Sequence, residues 1–241
     1  MIELYNGDCL EFLETIPDQS TNLTLTSPPY NMNLRIRDGK YCSRQIVKEI
    51  STKYTNYSDN LSIEEYFEFN RKVLELLLKK SELIFYNIQF LTGNKRALFK
   101  LIGHFSEQIK EVIIWDKITA EPAIGEGVLN SRFEVILVLE SSNAISRKFS
   151  KANFKRGTLE NIWQIKRGKK VCKEHGAVFP LELATKVLTN FSSKGDKILD
   201  PFMGTGTTGE AAILLDRDFV GCEVDQGYFE FAEKRLYREN I

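Results

Sequence analysis

The sequence has no excess of charge of either sign: 33 Lys and Arg offset 33 Asp and Glu across 241 residues. A chain that binds nucleic acid is ordinarily basic, so such a role here needs a local patch instead of a global field. The four cysteines, Cys9, Cys42, Cys172 and Cys222, form no C-x-x-C pair. That spacing excludes a disulfide frame or a cysteine zinc site and points to reduced thiols, so no metal is expected. No apolar run approaches membrane-spanning length, so no membrane association is expected. Met1-Ile2-Glu3-Leu4-Tyr5 has neither a basic n-region nor an apolar h-region. No signal peptide and a cytoplasmic location are therefore expected. Internal repeats and low-complexity linkers are missing too, and this length fits one domain over 1–241.

What is present is an alternation of strand and helix patterns. Strands are predicted at 2–5, 22–26, 83–86, 112–115, 133–139, 197–200 and 219–223. Helices are predicted after Asp8, after the capping box Ser62-Ile63-Glu64-Glu65, and over 94–105, 180–191, 207–215 and 228–237. The run 133–139 is apolar nearly throughout, as expected for a strand buried on both faces. This alternation argues for a doubly wound α/β sheet.

Two stretches carry chemistry. The first is Thr26-Ser27-Pro28-Pro29-Tyr30, at the end of a short buried strand. Two prolines have no N–H for the ladder, and the residue before each is pushed out of the helical region. The result is a stiff hook with a hydroxyl, bare carbonyls and an aromatic ring in fixed relation. It suits a planar amine, held by acceptors while a ring stacks on its face. The plainer alternative is a Pro-Pro turn with a surface tyrosine.

The second is Asp200-Pro201-Phe202-Met203-Gly204-Thr205-Gly206-Thr207-Thr208. A strand ends at Asp200, a Gly-x-Gly turn opens a helix, and the next strand ends in Glu223. This is the unit that holds an adenosine-containing cofactor. Glycines let the backbone approach the ligand, the helix N-terminus offers N–H groups to an anion, and Glu223 can accept from ribose hydroxyls. The lysine of a P-loop is absent, since Thr207 follows Gly206. The alternative is a tight turn whose glycines serve helix–strand packing.

Charge is segregated within the chain. Over 141–175, Arg147, Lys148, Lys151, Lys155, Arg156, Lys166, Arg167, Lys169, Lys170 and Lys173 face only Glu160 and Glu174. Phe149, Phe154, Leu159, Ile162 and Trp163 interrupt this run, a mixture suited to phosphate contact and base stacking, although a charge run is also a common solvated face. The polar stretch 31–60, with Arg35 and Arg37, has no clean period and reads as a second long loop.

Together the two motifs resemble the exocyclic-amino DNA methyltransferases. Ser27-Pro28-Pro29-Tyr30 looks like their (Asp/Asn/Ser)-Pro-Pro-(Tyr/Phe) motif, and 200–208 looks like their Asp-Pro-Phe-x-Gly-x-Gly-Thr-Thr motif. Gly7-Asp8-Cys9 also matches. The catalytic motif precedes the cofactor motif, the permuted order of the β subgroup. The resemblance implies a Rossmann-like, circularly permuted sheet, S-adenosylmethionine as cofactor, and double-stranded DNA as partner, with a flipped target base. It implies catalytic roles for Ser27, Pro28, Pro29 and Tyr30. Asp8, Thr26, Phe179, Pro180, Asp200, Pro201, Phe202, Gly204, Gly206, Thr207, Thr208, Glu223 and Val224 would bind cofactor. Arg35, Arg37, Lys148, Lys151, Lys155, Arg156, Arg167, Lys169 and Lys170 would meet DNA, with 31–60 a DNA-facing loop and 141–175 a target-recognition segment. Where the family has His-Pro, this chain has His175-Gly176.

Serine at the first position and Phe179-Pro180 favour cytosine N4, with adenine N6 the alternative. No Pro-Cys dipeptide exists, so methylation at cytosine C5 through a cysteine adduct is not expected. A non-catalytic DNA-binding subunit and an RNA methyltransferase are the other readings. A bacterial or phage host, a place at the nucleoid, a cognate restriction endonuclease and a homodimer belong to the same set of implications.

Overall fold

The computed structural model describes residues 1–31, 61–120, 126–141, 146–168 and 180–237, and the backbone alone of 35–37, 40–42 and 238. The chain starts with β1 (Ile2–Asn6), α1 (Cys9–Thr15) and β2 (Thr21–Thr26). Asp8 caps α1, its carboxylate accepting from the Leu10 and Glu11 amides, as its position before an apolar run predicts. A short hairpin, β3 (Arg35–Arg37) with β4 (Lys40–Cys42), comes next. Then follow α2 (Ile63–Lys80), β5 (Ser81–Ile88), α3 (Lys95–His104), β6 (Ile109–Asp116) and β7 (Phe133–Glu140). The predicted capping box opens α2: Ser62 Oγ accepts from the Glu65 amide and Glu65 accepts from the Ser62 amide. The last part is β8 (Ile162–Gln164), α4 (Leu181–Phe191), β9 (Lys197–Asp200), α5 (Thr207–Leu214), β10 (Asp218–Glu223) and α6 (Gln226–Arg238).

Eight of these strands form one sheet in the order β1-β10-β9-β2-β5-β7-β6-β8. β7 alone runs antiparallel to its neighbours. Strand residues divide by period two between two cores. Leu23, Leu25, Phe85, Ile136 and Val138 meet α4, α5 and α6, whereas Ile84, Tyr86, Leu137 and Leu139 meet α1, α2 and α3. Both faces are covered, which is why β5 and β7 read as nearly unbroken apolar runs.

The strand order decides where a ligand can sit. From β9 the chain winds through α5 to β10 on one side; from β2 it winds through α2 to β5 on the other. The direction of winding reverses between β9 and β2, and the crevice of such a sheet opens beyond the strand C-termini at that point.

Two features depart from the sequence expectation. The stretch 31–60 contains the β3–β4 hairpin, and the basic run contains β8, too short to show a period. The aromatics of that run do not offer stacking faces. Trp163 is buried, and Phe149 and Phe154 pack against Phe191 of α4 at ring-centroid distances of 5.0 and 5.4 Å. Trp163 is a core residue and the two phenylalanines are half-buried against the core, because β8 forms the sheet edge and the segment before it covers the C-terminal end of α4.

Phe154→Ala therefore tests core against stacking. It is expected to destabilise the protein by about 1–3 kcal/mol, lowering the melting temperature by about 2–4 °C per kcal/mol, with DNA affinity of the folded protein unchanged. Normal melting with weakened DNA binding would restore the stacking role.

Candidate active site

The two motifs meet at the reversal point. β2 and β9 pair with Leu23 opposite Ile198 and Thr24 opposite Leu199. Just beyond this pairing, Thr26 Oγ1 donates to Asp200 Oδ1 at 2.7 Å. Burial lifts the Asp200 carboxyl to about 6, against hydrogen bonds from Thr26, Thr208 and the Phe202 amide. Thr26 and Asp200 are thus engaged with each other and fix the spacing of the two tips.

The Pro-Pro hook leaves β2 and is clamped from behind. Tyr66 Oη donates to the Pro29 carbonyl at 2.8 Å, and Asn94 Nδ2 to the Tyr30 carbonyl at 2.6 Å. The Asn31 side chain trades two 2.8 Å bonds with the Leu61 backbone, and Asn31 itself has φ 49°. The Pro29 carbonyl is therefore occupied, so one fewer acceptor is bare than the sequence suggests. Among the described residues nothing donates to the Pro28 carbonyl.

Ahead of the hook lies a polar network. Ser27 Oγ lies 2.7 Å from Tyr30 Oη, which donates to Glu134 Oε2 at 2.9 Å. Asn87 Nδ2 reaches Tyr30 Oη at 2.8 Å and Glu134 Oε2 at 2.7 Å. Lys117 Nζ pairs with Glu134 Oε1 at 3.1 Å in the interior. Burial, and then the Glu134 charge, push the Tyr30 phenol well above its ordinary value, so it stays protonated. Sequence reasoning missed Asn87, Glu134 and Lys117. The available signal was a polar residue inside or just past an otherwise apolar strand.

The glycine turn sits beside this hook. The Met203 amide donates to the Cys222 carbonyl and the Gly206 amide to the Met203 carbonyl. Gly206, at φ 83°, caps α5 in the left-handed region. A Cβ there would lie 3.2 Å from both Ala232 and Leu236 of α6. Its smallness serves helix packing and the turn, a correction to the expectation that it clears a ligand. Pro201, Thr207 and Thr208 are buried, Phe202 faces Phe69 at 6.1 Å, and Val224 is half-buried next to Glu223.

Glu223 ends β10 with both oxygens in use: Oε2 accepts from the Gly204 amide and Oε1 from the Asp225 amide, each at 2.9 Å. Burial still lifts its carboxyl to about 7. Each oxygen keeps a second lone pair, so this buried carboxylate is short of donors. A ribose diol supplies two, and that fits an adenosine-containing cofactor. Asp8 lies beside the same tip, because the Gly7 amide donates to the Glu223 carbonyl at 3.1 Å. Pro180 caps α4, whose N-terminus faces this end of the sheet since its C-terminus leads into β9. Phe179 and His175 lie outside the described residues. Cys9 and Cys222 are buried with their thiols pushed up, and no metal-ligating cluster exists among the described residues.

The basic residues divide between the two ends. Lys151 pairs with Glu82 at 2.9 Å, next to the start of β5, and Asn153 binds the C-terminal carbonyls of α4. Lys148, Lys155 and Arg156 are exposed in that same stretch, at the end of the sheet opposite Ser27. This corrects the expectation that all of 141–175 faces a substrate held at the strand tips. Among the described residues of that stretch, the part after β8 rises to that end: Gln164 pairs with Asp116, and exposed Lys166 and Arg167 follow. Lys169 and Lys170 lie outside the described residues, as do the side chains of Arg35 and Arg37.

A family model described as DNA methylase, of the N6/N4 type, matches residues 21–234. The chain belongs to this DNA methylase family. The type II methyltransferase M.HinfI of Haemophilus influenzae is 27% identical to this methyltransferase over 254 residues, covering 97% of this chain and 67% of that protein. M2.MboI of Moraxella bovis is 24% identical over 247 residues, covering 97% and 87%. Among solved structures, the cytosine-N4-specific PvuII DNA methyltransferase matches with a TM-score of 0.72 at 20% identity, covering 100% of this chain and 88% of that one. The M1.HpyAVI–S-adenosylmethionine complex matches with a TM-score of 0.65 at 20% identity, covering 98% and 100%. The methyltransferase uses S-adenosylmethionine and acts on DNA. Among its described residues no helix is long and apolar enough to cross a membrane.

The lifted carboxyl of Glu223 predicts a pH signature. Ribose hydroxyls would bind the ionised form, which the free protein loses as pH falls through about 7. Affinity for S-adenosylmethionine is expected to fall by up to roughly tenfold per unit below that pH. Glu223→Gln should weaken binding and flatten the dependence, as calorimetric titration from pH 5.5 to 8.5 would show.

Proposed function

We propose that this methyltransferase modifies the exocyclic amine of a base turned out of duplex DNA, with cytosine N4 as the target. The observation that carries the proposal is the 2.7 Å bond between Thr26 and Asp200, which sets the Ser27 hook beside the Gly204 turn. Serine at the head of the hook, and Phe179-Pro180 upstream of α4, favour cytosine over adenine by resemblance to the family.

The cofactor supplies an electrophilic methyl group on a sulfonium. Glu223 would hold its ribose, with Asp8 and Val224 beside the adenine. The N-terminal turns of α4 and α5, with Pro180 and Thr207, would face its methionine end. Pro201, Phe202 and Thr208 shape the pocket floor, while Asp200 and Thr26 set its width. An aromatic amine is a weak nucleophile because its lone pair is delocalised into the ring. Ser27 Oγ and the Pro28 carbonyl accept its two N–H bonds, draw the nitrogen toward a tetrahedral shape and free that lone pair for in-line attack. Pro29 stiffens the hook. Positioning and electrostatics carry the rate. Tyr30 stacks on the extruded base in place of its neighbours in the duplex.

The duplex would lie across the strand-tip end, where Lys166 and Arg167 stand; the resemblance to the family adds Lys169, Lys170, Arg35 and Arg37 as DNA contacts. Base choice there depends on a few side chains in one pose. The intact hook and turn argue against a non-catalytic subunit, and the motif order against an RNA enzyme. The type II designation of the relatives supports a cognate restriction endonuclease as counterpart and a cytoplasmic, nucleoid-associated setting. A homodimer rests on the resemblance alone.

The test is to methylate unmodified genomic DNA, digest it to nucleosides and identify the product by mass. N4-methylcytosine is expected. N6-methyladenine would overturn the choice of base and leave the mechanism standing. Ser27→Ala should cost about 10²-fold in rate, and Tyr30→Ala about 1–3 kcal/mol of base stacking, both with cofactor affinity retained.

A further inference from the structure

The Tyr30 hydroxyl has one proton and three polar neighbours. Glu134 Oε2 lies at 2.9 Å, Asn87 Nδ2 at 2.8 Å and Ser27 Oγ at 2.7 Å. An amide nitrogen can only donate, and a carboxylate can only accept. Glu134 is held as a carboxylate partner by Lys117, the two side chains being 9% and 1% exposed. The Tyr30 proton therefore goes to Glu134, and both Tyr30 lone pairs accept, one from Asn87 and one from Ser27. Were Tyr30 to donate to Ser27 instead, two oxygens would face each other at 2.9 Å with no proton between them.

This direction fixes the Ser27 proton. Its other acceptor, the Asn87 carbonyl, is 3.5 Å away and too long to compete. Asn87 Nδ2 also lies 3.3 Å from Ser27 Oγ, but its two protons go to the shorter contacts with Glu134 and Tyr30. The orientation of the Asn87 amide follows from the same carboxylate. Turned over, its Oδ1 would stand 2.7 Å from Glu134; as placed, Oδ1 is buried with no partner among the described residues.

The geometry points to Glu134 as a positioning residue for methyl transfer: through Tyr30 it sets the direction of the chain Ser27 O–H to Tyr30 O–H to carboxylate, leaving the lone pairs of Ser27 Oγ for the substrate amine. Reversed, the Ser27 proton would point at the amine's own N–H, donor against donor. Lys117 acts one step further back, by binding the other carboxylate oxygen of Glu134 at 3.1 Å. The inference rests on the proposed role of Ser27 as acceptor. It belongs to this chain, since the family's motif also admits phenylalanine at the position of Tyr30, where no such chain can form.

The experiment is a double-mutant cycle on single-turnover methyl transfer, with the full chain, radiolabelled S-adenosylmethionine and unmodified genomic DNA. Glu134→Gln is expected to slow transfer about 10–100-fold at unchanged cofactor affinity. Tyr30→Phe is expected to slow it about 3–10-fold. Adding Glu134→Gln to Tyr30→Phe should cost less than about threefold more, because the route from Glu134 to Ser27 is already cut. Equal losses in both backgrounds would overturn the inference, as would full activity of Glu134→Gln. Should Glu134→Gln fail to fold, the pair Lys117→Met/Glu134→Gln, which removes both buried charges together, is measured in the same two backgrounds with the same expectations. Ser27→Ala separates the two levels. Full activity there sinks the reading of the hook itself. A slow Ser27→Ala together with additive Glu134 and Tyr30 effects sinks the inference alone.

Discussion

A single hydrogen bond, from Thr26 Oγ1 to Asp200 Oδ1, ties together strand tips that lie 174 residues apart in the chain. Its acceptor is a carboxyl lifted to about 6 by burial, and one strand over Glu223 is lifted to about 7 for the same reason. Both bind a proton more tightly in the folded chain than in the unfolded one. Their combined contribution therefore declines as pH rises from about 4 toward 7. The sheet carries unfavourable negative charge where its winding reverses. On the proposed role of Glu223, a cationic, donor-rich ligand bound there would relieve that charge, and part of the stability given up by the free protein would return as affinity for it.

The catalytic half of the site follows from strand order. Ser27 follows β2, Asn87 lies near the end of β5, Glu134 is the second residue of β7, and Lys117 follows β6. These four strands are neighbours, in the order β2-β5-β7-β6. Because β7 is antiparallel, its start lies level with the ends of the others, and Glu134 sits opposite Trp115. A fully parallel sheet would put the second residue of that strand at the far end.

Most of the frame was legible in the sequence because it is written in local terms. The capping box at Ser62, the cap at Asp8, the nearly continuous apolar run of β7 and the Gly-x-Gly turn each depend on neighbours a few residues away. The doubly wound class followed from their alternation, and the meeting of the two motifs is what the structure adds to them. What stayed hidden depends on distant contacts. Three residues of β8 have no period of their own, and Trp163 reads as a surface aromatic until the sheet edge buries it. Gly206 reads as a ligand-facing glycine until α6 packs against it. Glu134 and Lys117 read as ordinary charges, because nothing local says that one network will gather Ser27, Tyr30, Asn87 and both of them.

The central position of β9 has a consequence for how the chain is made. β2 is complete early in synthesis, yet its partner on one side is the ninth strand in sequence. At roughly 5–20 residues per second, about 9–35 s separate Thr26 from Asp200 on the ribosome. Throughout that interval β2 is an open parallel edge, and Leu23 and Leu25 await the face that α4 and α5 later cover. The nascent polypeptide thus carries an adhesive flank until β9 has emerged, and the cleft closes only when that late strand slots into the middle of the sheet.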